Sequence, residues 1–118
     1  MKNEIINRAR KLSVTTIKIC DKLPAKNSTR ILTNQVIRSI SSIGANIAEA
    51  QASTTRKEFK KYLEIALKSA NESIYWLDII RDIELAEINT INSIRDETIQ
   101  LSKILGRSVI TIRNAISK

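Results

Sequence analysis

Histidine is absent from this 118-residue chain, and cysteine, tryptophan and proline each occur once. Without histidine the chain lacks the commonest general base and the commonest metal ligand. Di-iron sites of helical bundles need Glu-x-x-His motifs, so that chemistry is excluded as well. Cys20 has no second cysteine to pair with, so the fold does not depend on an intramolecular disulfide. It falls on an apolar helix face, where a buried inert thiol is expected rather than a nucleophile. Two glycines and one proline are too few for the many turns of an all-β fold. Aromatic residues are 3% of the chain, too few to form a stacking platform for single-stranded nucleic acid. No apolar run approaches the roughly 18 residues that span a bilayer, and the start, MKNEIINRARKL, has no signal-peptide core. A cytoplasmic protein with no membrane association is expected. No P-loop, Rossmann glycine pattern or Cys/His cluster is present. Asp78 and Asp82 are spaced to hold a hard cation, but a solvated helix end is the expected reading. The expectation is a protein that is not an enzyme, with no catalytic residues, no cofactor and no metal.

What is present is helical periodicity. Isoleucine is abundant and by itself leans toward strands, yet the apolar spacing of three and four residues overrides that leaning. Ile5, Ala9, Leu12, Thr16, Ile19 and Leu23 mark a helix from about Lys2 to Lys22, closed by Pro24. Leu32, Val36, Ile40, Ile43, Ile47 and Ala50 mark a second, from about Thr29 to Gln51. Gly44, Ala45, Ala48 and Ala52 slim one flank of it, so Gly44 reads as a packing residue. Thr55 and Glu58 fit a capping box, opening a third helix to about Asp82 with Phe59, Leu63, Ala66, Ala70, Ile74 and Leu77 inside. After a connection at 83–86 that shows no strong cap, Ile91, Ile94, Thr98, Leu101, Leu105, Ile112 and Ile116 mark a fourth, from about Glu87 to Ile116. Such long helices with short connections must run antiparallel. The expected fold is all-α, an up-down-up-down antiparallel four-helix bundle formed by residues 1–118 as a single domain.

At about 100° per residue each helix also carries apolar residues its inner stripe does not use. Ile88, Ile99 and Ile110 recur on the fourth helix, with Gly106 beside them. Ile65 and Trp76 recur on the third, sharing their side with Ser69 and Glu72, and Ile6 and Ile17 sit to the side of the first. Aligned rows of this kind suit subunit contacts, so a homo-oligomer is expected.

The net charge is +8, and residues 1–23 supply half of it, with six basic and two acidic side chains. Arg8, Lys11, Lys18 and Lys22 share a side of the first helix, and Arg56, Lys57, Lys60 and Lys61 cluster at the start of the third. Basic surfaces of this kind attract polyanions by counterion release, and a ring of subunits would repeat each patch. The competing reading is that these side chains merely solvate a bundle.

The stretch Ser42-Ile43-Gly44-Ala45-Asn46-Ile47-Ala48-Glu49-Ala50 resembles the S-I-x-x-N-I-A-E signature of the four-helix-bundle proteins also called 23S ribosomal RNA intervening-sequence proteins. A second match follows in Lys57-Glu58-Phe59, in 65–72 (Ile-Ala-Leu-Lys-Ser-Ala-Asn-Glu) and in Tyr75-Trp76-Leu77. The two motifs cover residues 42–77, with looser similarity over 12–41. The resemblance implies an up-and-down helical bundle assembled as a ring-shaped homopentamer. Some members of that family are encoded within inserts in large-subunit ribosomal RNA genes. A related branch is the basic accessory protein of diversity-generating retroelements, whose partners are a reverse transcriptase and nucleic acid. Gly44 and Ala45 stand where many relatives have proline and a small residue, and Ala50 where glycine is frequent, which suggests a subgroup. Asn46, Glu49, Ser69 and Glu72 match the recurrent polar positions, either as ligand contacts or, the expected reading, as hydrogen bonds between helices or subunits. Arg56 is a candidate partner for Glu49. The function expected is weak, sequence-independent binding of RNA or DNA through repeated basic patches, and the alternative is a protein-interaction scaffold with no nucleic-acid role.

Overall fold

The computed structural model describes residues 2–117, which form four α-helices: α1 (Lys2–Cys20), α2 (Asn27–Ala52), α3 (Arg56–Asp82) and α4 (Ile88–Ser117). No strand occurs among the described residues. Each helix packs on its neighbours in sequence, and α1 also meets α4, whereas the diagonal pairs make no close backbone approach. That order closes an up-down-up-down antiparallel bundle measuring 51 × 23 × 21 Å. No described helix is long and apolar enough to cross a membrane.

The helix ends follow from local chemistry. α1 stops at Cys20 rather than Lys22 because its last amides tighten into shorter turns, Lys22 N–H to Ile19 O at 3.1 Å and Leu23 N–H to Cys20 O at 3.2 Å, ahead of Pro24. α2 starts at Asn27, two residues before the position expected from its apolar stripe. Thr55 caps α3 as its sequence foretells, its hydroxyl accepting from Glu58 N–H at 3.1 Å. The start of α4 does have a cap, contrary to the sequence reading. The Glu87 carboxylate accepts from the backbone amides of Asn89 and Thr90, each at 3.0 Å, and from the Thr90 hydroxyl at 2.8 Å. Those bonds hold Glu87 below the usual carboxylate range.

The inner stripes meet as expected. Val36, Ile40, Ile43 and Ile47 of α2, Leu63, Ala66, Ala70, Leu77 and Ile80 of α3, and Ile91, Ile94, Leu101, Leu105 and Val109 of α4 are all buried. α1 adds less, since Leu12 is its one large aliphatic residue buried in full, beside Ala9, Thr16 and Cys20. α1 and α2 approach closely at Gly44, where a Cβ would lie 3.4 Å from the Ala9 Cβ. Ile116 is a correction: it is 44% exposed, and Val109 is buried instead. Arg8 pairs with Glu97 and Gln100, leaving only residues 2–7 of α1 beyond that point while α4 continues through 101–117. The far end of α4 therefore outruns α1, and Ile116 lies where α1 gives no cover.

Between α3 and α4 the chain reverses through Glu84, the one non-glycine residue with positive φ among those described, at 57°. Leu85 N–H bonds back to Ile80 O at 3.1 Å, the six-residue closure that favours glycine at the left-handed position. Glu84→Gly relieves that backbone penalty on an exposed residue. It should stabilise the fold by about 0.5–1 kcal/mol, read as a higher thermal midpoint by circular dichroism. A lower midpoint would mean that the Glu84 side chain matters more than its backbone.

Candidate nucleic-acid interface

The basic side chains singled out from sequence fall into two separate groups, because α1 and α3 occupy diagonal corners of the bundle. Lys11, Lys18 and Lys22 are exposed. Arg8 is only partly free: its Nε donates to Glu97 Oε2 at 3.0 Å and its Nη2 to Glu97 Oε1 at 2.7 Å and to Gln100 Oε1 at 3.2 Å. Its pKa is raised chiefly by the hydrogen bond to Glu97. In the α3 cluster, Arg56 and Lys57 are exposed, Lys60 lies 3.7 Å from Glu64, and the Lys61 Nζ lies 5.2 Å from the centre of the Tyr62 ring. Sequence reasoning missed Lys26 and Arg30. They flank the start of α2, whose first turn has no acidic residue and whose cap residue makes no side-chain bond. Both are exposed, and the uncapped amides at this helix start add positive potential beside them.

The polar residues of the recurrent motif serve the joint between α2 and α3. Ser69 Oγ donates to Ser42 Oγ at 2.8 Å, and Asn46 Nδ2 donates to Ser42 Oγ at 3.0 Å and Ser42 O at 2.8 Å. One turn along, the buried hydroxyls of Ser39 and Ser73 share a 2.8 Å bond. On the outer edge Arg38 pairs with Glu72, whose carboxylate also accepts from Trp76 Nε1 at 2.9 Å. The indole bond is the chief reason Glu72 lies below its ordinary pKa, with Arg38 adding to it. Ser42 opens the recurrent motif, whereas Arg38, Ser39 and Ser73 were not singled out from sequence. The signal for Ser39 and Ser73 was a serine lying beside apolar core positions. Glu49 and Arg56 are both exposed and form no ion pair with each other among the described residues.

The two apolar rows also lie apart. Trp76 and Ile65 are half-buried on the flank of α3 that meets α2, and Trp76 packs on the core, with Tyr75 edge-on to it at 5.1 Å. On α4, Ile88 and Ile110 are 57% and 58% exposed and Ile99 is half-buried. Nothing lies within 4 Å of a Cβ built at Gly106. Asp78 is engaged by Arg95 at 2.6 Å and by Arg81 at 3.4 Å, and Asp82 by Arg81 at 3.2 Å, so both carboxylates serve arginines. Cys20 is buried, and desolvation first, then Asp21, pushes its thiol up to about 11. At neutral pH it is a protonated, unreactive thiol.

Fold and surface together define an all-helical antiparallel bundle with a positively charged flank and a hydroxyl-lined joint between its two central helices. The chain belongs to the 23S rRNA-intervening sequence protein family, whose pattern it matches over residues 1–107. It is similar, at 30% identity and a TM-score of 0.82, to a crystal structure of a protein with unknown function from the S23 ribosomal protein family of Bacteroides thetaiotaomicron VPI-5482, the match covering 92% of this chain and 98% of that one. A comparison with curated proteins gives no match.

The joint between α2 and α3 is testable by removing its hydroxyls. Ser73→Ala removes the donor to Ser39 Oγ, leaving that hydroxyl only its 3.3 Å bond to Val36 O, and should cost about 1 kcal/mol. Removing both, in Ser39→Ala/Ser73→Ala, should cost clearly less than the sum of the single changes, measured by urea unfolding. Strict additivity would show that the two hydroxyls do not support each other.

Proposed function

We propose that this chain is a non-enzymatic, homo-oligomeric helical scaffold that binds RNA or DNA through the phosphate backbone, without sequence specificity. The observation that carries this reading is how the charge is distributed. The carboxylates of Glu64, Glu72, Asp78 and Glu97 are each taken up by an arginine within the chain. Lys11, Lys18, Lys22 and Lys26 are left exposed, with no ion pair among the described residues. A surface of unpaired lysines binds polyanions by releasing their counterions. The family name points the same way, toward ribosomal RNA. Assembly into a ring, as the family resemblance implies, would present the patch repeatedly and raise avidity. The exposed Ile88 and Ile110 and the open space at Gly106 support α4 as a subunit contact. A second reading, a protein-interaction scaffold or accessory protein with a partner such as a reverse transcriptase, draws support from Tyr75. That side chain is 60% exposed beside Trp76, and tyrosine and tryptophan are among the residue types that dominate protein-binding hot spots.

Binding of a fluorescent 20-nucleotide RNA should weaken at least tenfold in Lys11→Glu/Lys18→Glu/Lys22→Glu, and should fall steeply with salt in the parent. Equal affinity in the two proteins would remove α1 from the interface, and no binding at low salt would favour the protein-partner reading. Assembly is checked separately by light scattering. The parent should be a multimer, and Ile110→Glu should shift it toward smaller species. A parent running as a monomer ends the oligomer proposal.

A further inference from the structure

Between α1 and α4 lies a cleft of about 280 Å³, lined by Arg8, Lys11, Leu12, Thr15, Ser93, Ile94 and Glu97. The grooves beside Gly44 and beside Phe59 are lined mainly by apolar and small side chains, each with one arginine. A groove at the start of α3 holds Lys57, Lys60 and Lys61 with Glu58 and Glu64, but no aliphatic side chain lines it. The cleft between α1 and α4 has an apolar floor in Leu12 and Ile94, and two cations and two hydroxyl residues around its mouth. Lys11 has no ion pair among the described residues. Arg8 has one, held by both oxygens of Glu97, and the two side chains remain 29% and 33% exposed. A guanidinium fork that fits two carboxylate oxygens also fits two phosphate oxygens. The pair is part-buried, and about a third of each side chain stays open to water, so an arriving phosphate can reach Arg8 and compete with Glu97 for it. The other carboxylate acting on Arg8 is Glu4, one turn earlier on α1 and more distant in effect.

We propose that this cleft is where a phosphodiester backbone engages the chain, and that Glu97 is a built-in competitor that occupies Arg8 until a phosphate displaces it. The inference rests on the polyanion-binding reading above and locates its contact. Binding is held weak by design of the site, since each phosphate gained by Arg8 leaves one carboxylate uncovered. In salt dependence the exchange is nearly silent: a phosphate charge is neutralised and a carboxylate charge is exposed.

Neutralising the competitor therefore has a definite sign. Glu97→Gln keeps a neutral hydrogen-bond acceptor beside Arg8 and should tighten binding of a 20-nucleotide oligouridylate about three- to tenfold at low salt. The salt slope should steepen by about 0.7, the value of one added phosphate contact on a single strand. Arg8→Gln in the Glu97→Gln background should abolish the gain, and Lys11→Gln should weaken binding in either background. Binding by the parent with unchanged or weaker binding by a folded Glu97→Gln variant overturns the cleft proposal and leaves the general reading in place. Absence of binding by the parent and every variant overturns the general reading first. A measurement that needs no variant completes the test: the Arg8 Nε–H resonance of the parent should shift as oligouridylate is added. A resonance that stays fixed while the RNA binds overturns the proposal.

Discussion

The antiparallel register of α2 on α3 is the constraint on which the rest of the bundle depends. Apolar stripes alone specify it poorly, because isoleucine, leucine and alanine rows can slide by a turn at small cost. Buried hydroxyls cannot. Ser39 against Ser73 and Ser42 against Ser69 fall at matching steps of the two helices. A one-turn slip could re-form at most one of the two pairs and would part the other, at about 1 kcal/mol for the lost bond. With that register set, Arg38 meets Glu72 at the outer edge and the indole of Trp76 closes over the carboxylate. The motif residues that looked like candidate ligand contacts thus act first as the alignment device of the central helix pair. α4 then docks on α3 through its own long apolar stripe, braced by Arg95 on Asp78 and Arg113 on Glu64.

α1 is bound differently. Its fully buried residues are mostly small, and it meets α2 closely where Ala9 lies against Gly44. Across from α4 it leaves a cleft, bridged by Arg8. The weakest seam of the bundle is also the seam that carries unpaired lysines, so the side of the molecule with least apolar contact is the side with most positive charge. Both features have one origin in the sequence of α1. A helix that gives much of its surface to lysine and arginine has less left to bury.

How much of this could be read from the sequence varied with the range of the interaction. The four helices, their order and nearly all core positions were legible because period and local punctuation determine them. Pro24 and Thr55 act within a turn of themselves. The Glu87 cap was not legible, since glutamate is an unusual capping residue and nothing in the connection distinguishes Glu87 from Glu84. The fate of Ile116 needed the relative lengths and register of α1 and α4, which no stripe encodes. The serine pairs were hidden for a similar reason: a serine beside a core position has the same local pattern whether it faces solvent or a second serine. For the basic candidates, charge and position on each helix were legible, but their partners were not. Arg8 read as one of four equivalent cations because Glu97 stands 89 positions away in the chain.

That long-range pairing changes what the net charge means. A value of +8 says little about the surface until the internal pairs are set aside. Arginine forms a planar fork that suits fixed pairing, whereas lysine is a mobile, strongly hydrated point charge. Among the described residues Arg8, Arg38, Arg81, Arg95 and Arg113 hold carboxylates, Arg10, Arg56 and Arg107 stand exposed outside any ion pair, and Lys60 is the one lysine in an ion pair. The fork of Arg8 is paired with Glu97, yet it stands at the mouth of a cleft beside Lys11, which has no ion pair among the described residues. The exposed isoleucines of α4 lie toward α3, on the far side from that cleft. A second copy packed on them would leave the lysines of α1 uncovered, and self-association and polyanion binding could then proceed on one subunit without competing for the same surface.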